Sequence, residues 1–321
     1  MKALLIYVNV LLLIASCSCL SEEWLGTSPV MVSLVSPSPD RIFADVQSLV
    51  NFGSRHSCDS GDAGVERAAD WLAGQYAQIP GIRVQFHEFK MNCNFSSRVR
   101  RNVIASYEGT DQSDELILFT GHYDSIAAHY LFFPSSVAPG ANDSGSQSAV
   151  LLEVARQLAG AQRRRTIGFV AFAGEEQEMK GSEALVRDLK VIWPNKRVVA
   201  VINLDIVGGD RDVNSADTLN QYRLYSRNDK IHLELAQRIQ QINQRHFPEF
   251  EMEWHKRTDR FGRGSDHMSF QDVDIPAIRI IEAVENTDHQ HNTSDLPEYL
   301  TPSYMAKIAR LVVHIAEEMA Q

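Results

Sequence analysis

The sequence predicts an α/β fold, a mostly parallel mixed central sheet flanked by helices on both faces. Three observations carry this. Short apolar runs alternate with amphipathic stretches from residue 80 to the end. One of them, "DELILFTGHYDS", is nearly continuous in its apolar character, as in a strand buried on both faces. The amphipathic stretches carry stop and start signals, as in "NDSGSQSAVLLEVARQLAG", which opens on Asn/Asp/Ser and closes on Gly. Strands alternating with helices form parallel sheets covered on both sides.

Taken in order, "RIFADVQSLVNFG" and "AGVERAADWLAGQYAQ" have helical periodicity. "IRVQFHEFKM" and "NVIASYEG" read as strands. "DELILFTGHYDS" follows, then the helix opening at "NDSGS". "RTIGFVAFAGEE" is a strand, "GSEALVRDLK" a helix and "RVVAVINLDIVGG" a strand. "DKIHLELAQRIQQINQRHF" is a long amphipathic helix, "IPAIRIIEA" a strand, and "TPSYMAKIARLVVHIAEEMA" the closing helix. The basic triplet Arg163-Arg164-Arg165 reads as a solvated turn. No break in composition divides residues 40–321, which are expected to form a single catalytic domain.

The first 17 residues read as an export signal: Lys2 precedes the apolar "ALLIYVNVLLLIAS", which is short for a bilayer span. "IASC" resembles a bacterial lipobox with Cys17 as the lipidated residue, and the alternative is ordinary secretory cleavage near "SCSCLS". Localisation is thus expected to be exported, as a cell-envelope lipoprotein or secreted. Residues 18–39 form a Ser/Pro-rich linker. Two cysteines remain, Cys58 and Cys93, a candidate disulfide in an exported chain, the alternative being two free thiols. The bridge would staple the segment before the first strand to a loop just after it. The 321 residues are 44% hydrophobic and 22% charged, ordinary for a globular protein, with a net charge of −10. That balance argues against nucleic acid and anionic membranes as partners, leaving membrane contact to the lipid anchor alone. Oligomeric state is left open.

Open α/β sheets bind ligands beyond the carboxyl ends of their strands. There the first buried strand carries His122 and Asp124, with Asp143 beyond; the next carries Glu175 and Glu176; the third Asp205; the last is followed by His289 and His291. Each has an ordinary explanation: Asp143 as a helix cap, Asp205 in a turn, a lone histidine as a structural group. Together they suggest zinc, which takes N and O ligands. Two histidines and three carboxylates suit two ions with one bridging carboxylate. Two zinc ions, three carboxylates and a hydroxide sum to zero charge, which a partly buried site tolerates.

"GHYDS", "PGANDSGSQSAVLLEVAR", "FAGEEQEMKGS", "NLDIVG", "GSDHMSF" and "HNTSD" resemble, in order, the motifs of the co-catalytic zinc aminopeptidases of bacterial leucyl aminopeptidase type, over about residues 40–321. The resemblance implies the zinc aminopeptidase, phosphorylase/hydrolase-like fold and two zinc ions per chain. His122 and Asp205 would hold one, Glu176 and His291 the other, and Asp143 would bridge them. Glu175 would be the general base and Asp124 would orient His122. Asp266 would lie behind the ligands or be structural. His291 is preferred to His289 for its spacing to Asp295. The implied substrates are short peptides with a free N-terminus. The sequence departs from the family where an oxyanion-stabilising tyrosine is expected: "DRFGRGSDH" has Gly262 near that place. Arg260 or Arg263 would then substitute or bind a substrate carboxylate, unless both are loop residues in salt bridges. Ile206, Val207 and "HYLFFPSS" (129–136) form either an apolar pocket rim or ordinary packing.

Glutaminyl-peptide cyclotransferases, which share the fold and use one catalytic zinc, are the rival reading. Against them stand the short "QEMK" between Glu176 and Gly181, and Gln290 where that family has an aromatic. A non-catalytic ectodomain would have lost ligand positions, all of which are filled here. A serine hydrolase would need a Gly-x-Ser-x-Gly elbow after a strand, which is not found.

Overall fold

The run that begins near residue 112 forms the spine of the sheet, strand β3 (Gln112–His122). Its side chains alternate across the sheet. Ile117 and Phe119 enter one core cluster, and Leu116 and Leu118 enter another. The two clusters explain why the run is apolar at successive positions rather than at every second one. The computed structural model describes residues 36–60, 64–93, 96–127, 138–261 and 263–321. The export segment, Cys17, residues 18–35, the 129–136 loop and Gly262 lie outside the described residues. Ser36–Gln321 make one compact unit.

Helices α1 (Pro39–Val50) and α2 (Gly64–Ala77) come first, α1 capped by Ser38, whose side chain accepts from the Arg41 amide. Strands β1 (Arg83–Cys93) and β2 (Ser96–Tyr107) follow, then β3, α3 (Gln147–Gln157), β4 (Arg165–Phe172), α4 (Lys180–Ile192) and β5 (Arg197–Leu204). The remainder is β6 (Gln221–Ser226), α5 (Lys230–His246), β7 (Glu251–His255), α6 (His267–Gln271), β8 (Ala277–Glu282) and α7 (Pro302–Met319). The eight strands lie in the order β1-β2-β4-β3-β5-β8-β6-β7. The central neighbours β4, β3, β5 and β8 are mutually parallel, as are β6 and β7, while β1–β2, β2–β4 and β6–β8 are antiparallel. The fold is therefore the mixed, largely parallel sheet expected. α1, α2, α3, α5 and α7 supply the larger core on one face; α4 and α6 supply Leu185 and Phe270 to the other.

Three sequence expectations need correction. Strands β6 and β7 and the short α6 went unread. The last two residues of the basic triplet are paired, with Asp111 and Glu115, but Arg163 is buried. Its guanidinium donates to the carbonyls of Leu158 and Ala161 and lies over Tyr107, so it closes the end of α3 rather than facing solvent. Val207 is fully buried in the main core and forms no pocket rim.

The structure joins Cys58 to Cys93 across 35 positions. Cys58 precedes α2, and Cys93 is the last residue of β1 itself, not of a loop beyond it. Closing a loop of that length stabilises by roughly 3–4 kcal/mol on chain-entropy grounds. The double variant Cys58→Ala/Cys93→Ala should lose about that much in urea unfolding; an unchanged midpoint would show the bridge to be energetically idle.

Candidate metal centre

The register of the parallel strands builds the site. His122 ends β3 opposite Phe172 of β4, and Thr120 lies opposite Asn203 of β5, which brings His122 level with Asp205. Asp205 continues the ladder by donating its amide to the Ile280 carbonyl of β8. Four adjacent parallel strands thus deliver their following residues to one edge.

Glu175 and Glu176 are not the extended end of β4. The strand stops at Phe172, and the pair lies in the turn leading into α4, after Gly174 at φ 75°. The Glu175 amide donates to Asp124 Oδ1 (3.3 Å) and its carbonyl accepts from the Met179 amide (2.8 Å). A turn rather than strand alternation separates the two carboxylates.

Asp143 is no helix cap either. Helix α3 proper starts at Gln147, and Asp143 sits in the preceding turn with non-helical backbone angles. The turn is held from two sides. Asp295 accepts the amides of Asn142 (2.7 Å) and Asp143 (2.9 Å). Arg55, fully buried, donates to the carbonyls of Tyr123, Pro139 and Gly140, each at 2.7 Å. Gly140 has φ 54°, and a Cβ there would lie 2.5 Å from Ser125 Cβ, so only glycine fits.

The result is a ring of donors around Asp143. Its Oδ1 is 3.1 Å from His122 Nε2 and its Oδ2 is 3.2 Å from His291 Nε2. His122 Nε2 is 3.3 Å from Asp205 Oδ1, and His291 Nε2 is 3.0 Å from Glu176 Oε2. Two groups of three follow, His122–Asp143–Asp205 and Asp143–Glu176–His291, each with donor atoms within 4.8 Å of one another. A third, His122–Glu175–Glu176, satisfies the same distance. Among the described residues, Glu176 Oε1 is buried without a hydrogen-bond partner, and Asp143 Oδ1, although 3.1 Å from His122 Nε2, makes no aligned hydrogen bond. Buried carboxylate oxygens rarely lack a partner, and a cation accepting N and O donors would satisfy both.

Asp124 stands behind His122, its carbonyl 3.2 Å and its carboxylate 3.5 Å from Nδ1. The Asp124 carboxylate also accepts from Ser57 Oγ (3.0 Å), and Ser57 Oγ accepts from the Gly174 amide (2.8 Å). His289 lies elsewhere: it pairs with Asp210 at 2.6 Å and packs on Tyr299. Asp266 is fully buried behind the site.

The electrostatics describe a site with too much negative charge for its burial. Burial pushes Glu176 up to about 7 and Asp266 up to about 7, and raises Glu175 well above the usual carboxylate range. Glu176 lifts His291 to about 11. Burial also works against Asp205, but Arg279 and His122 outweigh it and hold that carboxyl below its ordinary value.

Several residues of this network were missed in the sequence. Arg279 is buried in β8, 2.9 Å from Asp205 Oδ2. Glu282, pushed up to about 8 by burial, accepts from Asn142 Nδ2 (3.1 Å) and from the amide of Gly209. A charged residue inside an apolar strand, as in "AIRIIE", was the available signal, since such a group must be paired. Asp295 was noted only for its spacing from His291, and Arg55 left no such trace.

A cleft of about 290 Å³ opens over the ring, lined by Asp143, Glu175, Glu176, Glu178 and Asp205 and by Arg260, Arg263, Gln290 and His291. Arg260 is committed to Asp259 and Glu285. Arg263 is exposed at the cleft. Ile206 lines a smaller adjoining cavity with Glu282 and Gln290. A larger recess of about 770 Å³, near Arg83, Trp193 and Lys196, lies at the opposite ends of the strands and is lined by no histidine.

Residues 102–316 match the sequence pattern of Peptidase family M28. The chain belongs to peptidase family M28. A probable zinc metalloprotease of Leptosphaeria maculans is 30% identical to this M28 chain over 333 residues, spanning 87% of this chain and 77% of that one. A probable zinc metalloprotease of Pyrenophora teres is also 30% identical, over 94% of this chain and 73% of its own length. Among solved structures, the LapA aminopeptidase of Legionella pneumophila superposes with a TM-score of 0.69 at 21% identity, over 88% of this chain and 72% of that one. The glutaminyl cyclase of Porphyromonas gingivalis superposes with a TM-score of 0.68 at 23% identity, over 88% of this chain and 98% of that one. At those identities the likeness establishes that this M28 peptidase shares their fold.

Proposed function

We propose that the protein is a zinc-dependent aminopeptidase with two ions per chain, removing N-terminal residues from short peptides. The observation that carries this is Asp143, whose two oxygens face two different histidines and make it a member of both donor groups. His122 and Asp205 would hold one ion, Glu176 and His291 the other, and Asp143 both. The zinc named in the relatives suits this N/O set. The carboxylates lining the cleft suit the α-ammonium of a peptide's first residue, which favours trimming from the N-terminus.

Bound zinc would polarise the scissile carbonyl and lower the pKa of water. Glu175 takes the proton of the attacking water and returns it to the leaving amine. Asp124 braces both the base and one of the ligands, accepting the Glu175 amide on its carboxylate and facing His122 Nδ1 with its carbonyl. Arg263 meets the carboxylate of a short substrate at the cleft. The oxyanion has no tyrosine assigned to it.

Aminoacyl-nitroanilides assayed with and without a chelator, beside a glutamine-cyclisation assay, decide the matter. Chelator-sensitive amide hydrolysis is expected; cyclisation without it would transfer the chain to the cyclase reading. In the same assays, amidating a dipeptide's C-terminus should raise KM several-fold, and Arg263→Ala should abolish that difference. Export and lipidation at Cys17 belong to the same proposal; unchanged processing and localisation of Cys17→Ser would remove the anchor.

A further inference from the structure

Asn102 lies in β2 with no exposed surface, directly opposite His87 of β1. Residues paired across antiparallel strands share a face, and α4 packs over this one. The Asn102 side chain joins the two ends of the turn that carries the glutamates. Its Oδ1 accepts the Ala173 amide (3.1 Å), just past the end of β4, and its Nδ2 donates to the Gly181 carbonyl (2.8 Å) in the first turn of α4. The same Nδ2 is 3.0 Å from His87 Nδ1, and His87 Nε2 is 3.1 Å from Asp188 Oδ2 of α4. An imidazole that accepts at Nδ1 carries its proton at Nε2, so one orientation of the amide serves all its partners. The ends of the turn meet closely: a Cβ on Gly181 would run into the Ala173 carbonyl and lie 2.6 Å from Asn102 Oδ1. Between them Glu178 and Met179 hold φ of 66° and 59°. Such left-handed backbone persists only where its surroundings impose it.

We propose that Asn102 is a positioning residue for the general base: it closes the neck of the turn and so aims Glu175 at the attacking water. This rests on the role given to Glu175 above. The two glutamates depend on the neck to different degrees. The Glu176 carboxylate is fixed at its tip by His291, 3.0 Å away. The Glu175 carboxylate has no hydrogen-bond partner among the described residues, and its pairing with His122 Nε2 is 4.0 Å long. Its direction is therefore set by its backbone. Ser57 and Asp124 brace that backbone only at the Gly174 and Glu175 amides, whereas Asn102 ties the entry of the turn to its exit. Without Asn102 the buried Ala173 amide loses its acceptor. An unpaired buried donor is costly, and opening the neck to water relieves it.

Steady-state kinetics and metal analysis of the zinc-loaded full chain test this. Asn102→Ala should lower kcat by roughly a hundredfold, the scale of a small misplacement of a reacting group, with KM and zinc content close to wild type. The deciding measurement is the double variant. In a Glu175→Gln background, Asn102→Ala should change kcat little, because no base remains to be misaimed; residues that act as a unit are not additive. His87→Phe keeps a ring to stack on Phe89 but takes the acceptor away from Asn102. It should show the same pattern with a smaller loss. If Asn102→Ala does not fold, His87→Phe decides alone, and wild-type kcat there would overturn the proposal. Losses that multiply in the double variant, or a deficit of Asn102→Ala that lies in KM or zinc content, would also overturn it. Full activity in Glu175→Gln would remove the base and the positioning role with it. Should the wild-type chain cyclise glutamine instead of hydrolysing nitroanilides, the same cycle is read on that reaction. Non-additive losses there would uphold the positioning role while the aminopeptidase reading falls.

Discussion

Glu175→Gln should keep its zinc and lose about a thousandfold in kcat, whereas Glu176→Gln should lose zinc itself. Glu175 belongs to neither donor group built on Asp143; its Oε2 is 4.0 Å from His122 Nε2, on the cleft side. Glutamine keeps the shape of the side chain and the backbone N–H hydrogen bond to Asp124 but cannot act as the base. Removing a general base costs roughly 10²–10⁴ in rate, and a thousandfold corresponds to about 4 kcal/mol of barrier. Glu176 sits against His291 at 3.0 Å with its other oxygen unpartnered, so its charge is available to an ion. Its replacement should weaken zinc by more than roughly a hundredfold, beyond what changes behind the ligands usually cost. Metal analysis and steady-state kinetics on the two variants separate the roles. Zinc loss in Glu175→Gln would favour the alternative grouping of His122, Glu175 and Glu176, and would sink the assignment of the base.

Asp295→Asn should lower both stability and zinc affinity, though the side chain lies outside both donor groups. It is buried and accepts two consecutive amides, those of Asn142 and Asp143, which no asparagine orientation can reproduce in full. A buried donor left unpaired costs about 1–3 kcal/mol. The turn that loosens is the one that aims Asp143, so zinc should weaken roughly 10- to 100-fold. Thermal melting and zinc titration measure the two effects separately. A lowered melting temperature with unchanged affinity would confine Asp295 to the scaffold.

The spacing from His291 to Asp295 now has a physical reason. One short loop after β8 places an imidazole against Asp143 and returns, four residues later, a carboxylate to hold the backbone of the same turn.

The central strands were legible because their two-sided burial leaves continuous apolar runs, and the residues after them were legible because parallel strands send those residues to one edge. β6 and β7 were not, since "QYRLYS" and "EMEWH" are short and polar at alternate positions on the sheet's outer side. Arg279 and Arg55 escaped, and so did the role of Asp295, because their partners lie far away in sequence. Arg55 meets Gly140 across 85 positions, and Asp295 meets Asp143 across 152. The sequence reads Glu175 and Glu176 as the end of a strand, whereas the strand stops at Phe172 and a turn carries the pair.

The disulfide has a consequence for when the centre matures. Cys58 follows directly on Ser57, the hydroxyl that links Asp124 at the end of β3 to Gly174 ahead of the glutamates. Oxidation therefore tethers the strut between the end of β3 and the turn that carries Glu175 to the edge of the sheet. A chain kept reduced would assemble its core from the central strands yet hold Glu175 less firmly. Thiol oxidation and catalytic competence would then arrive together.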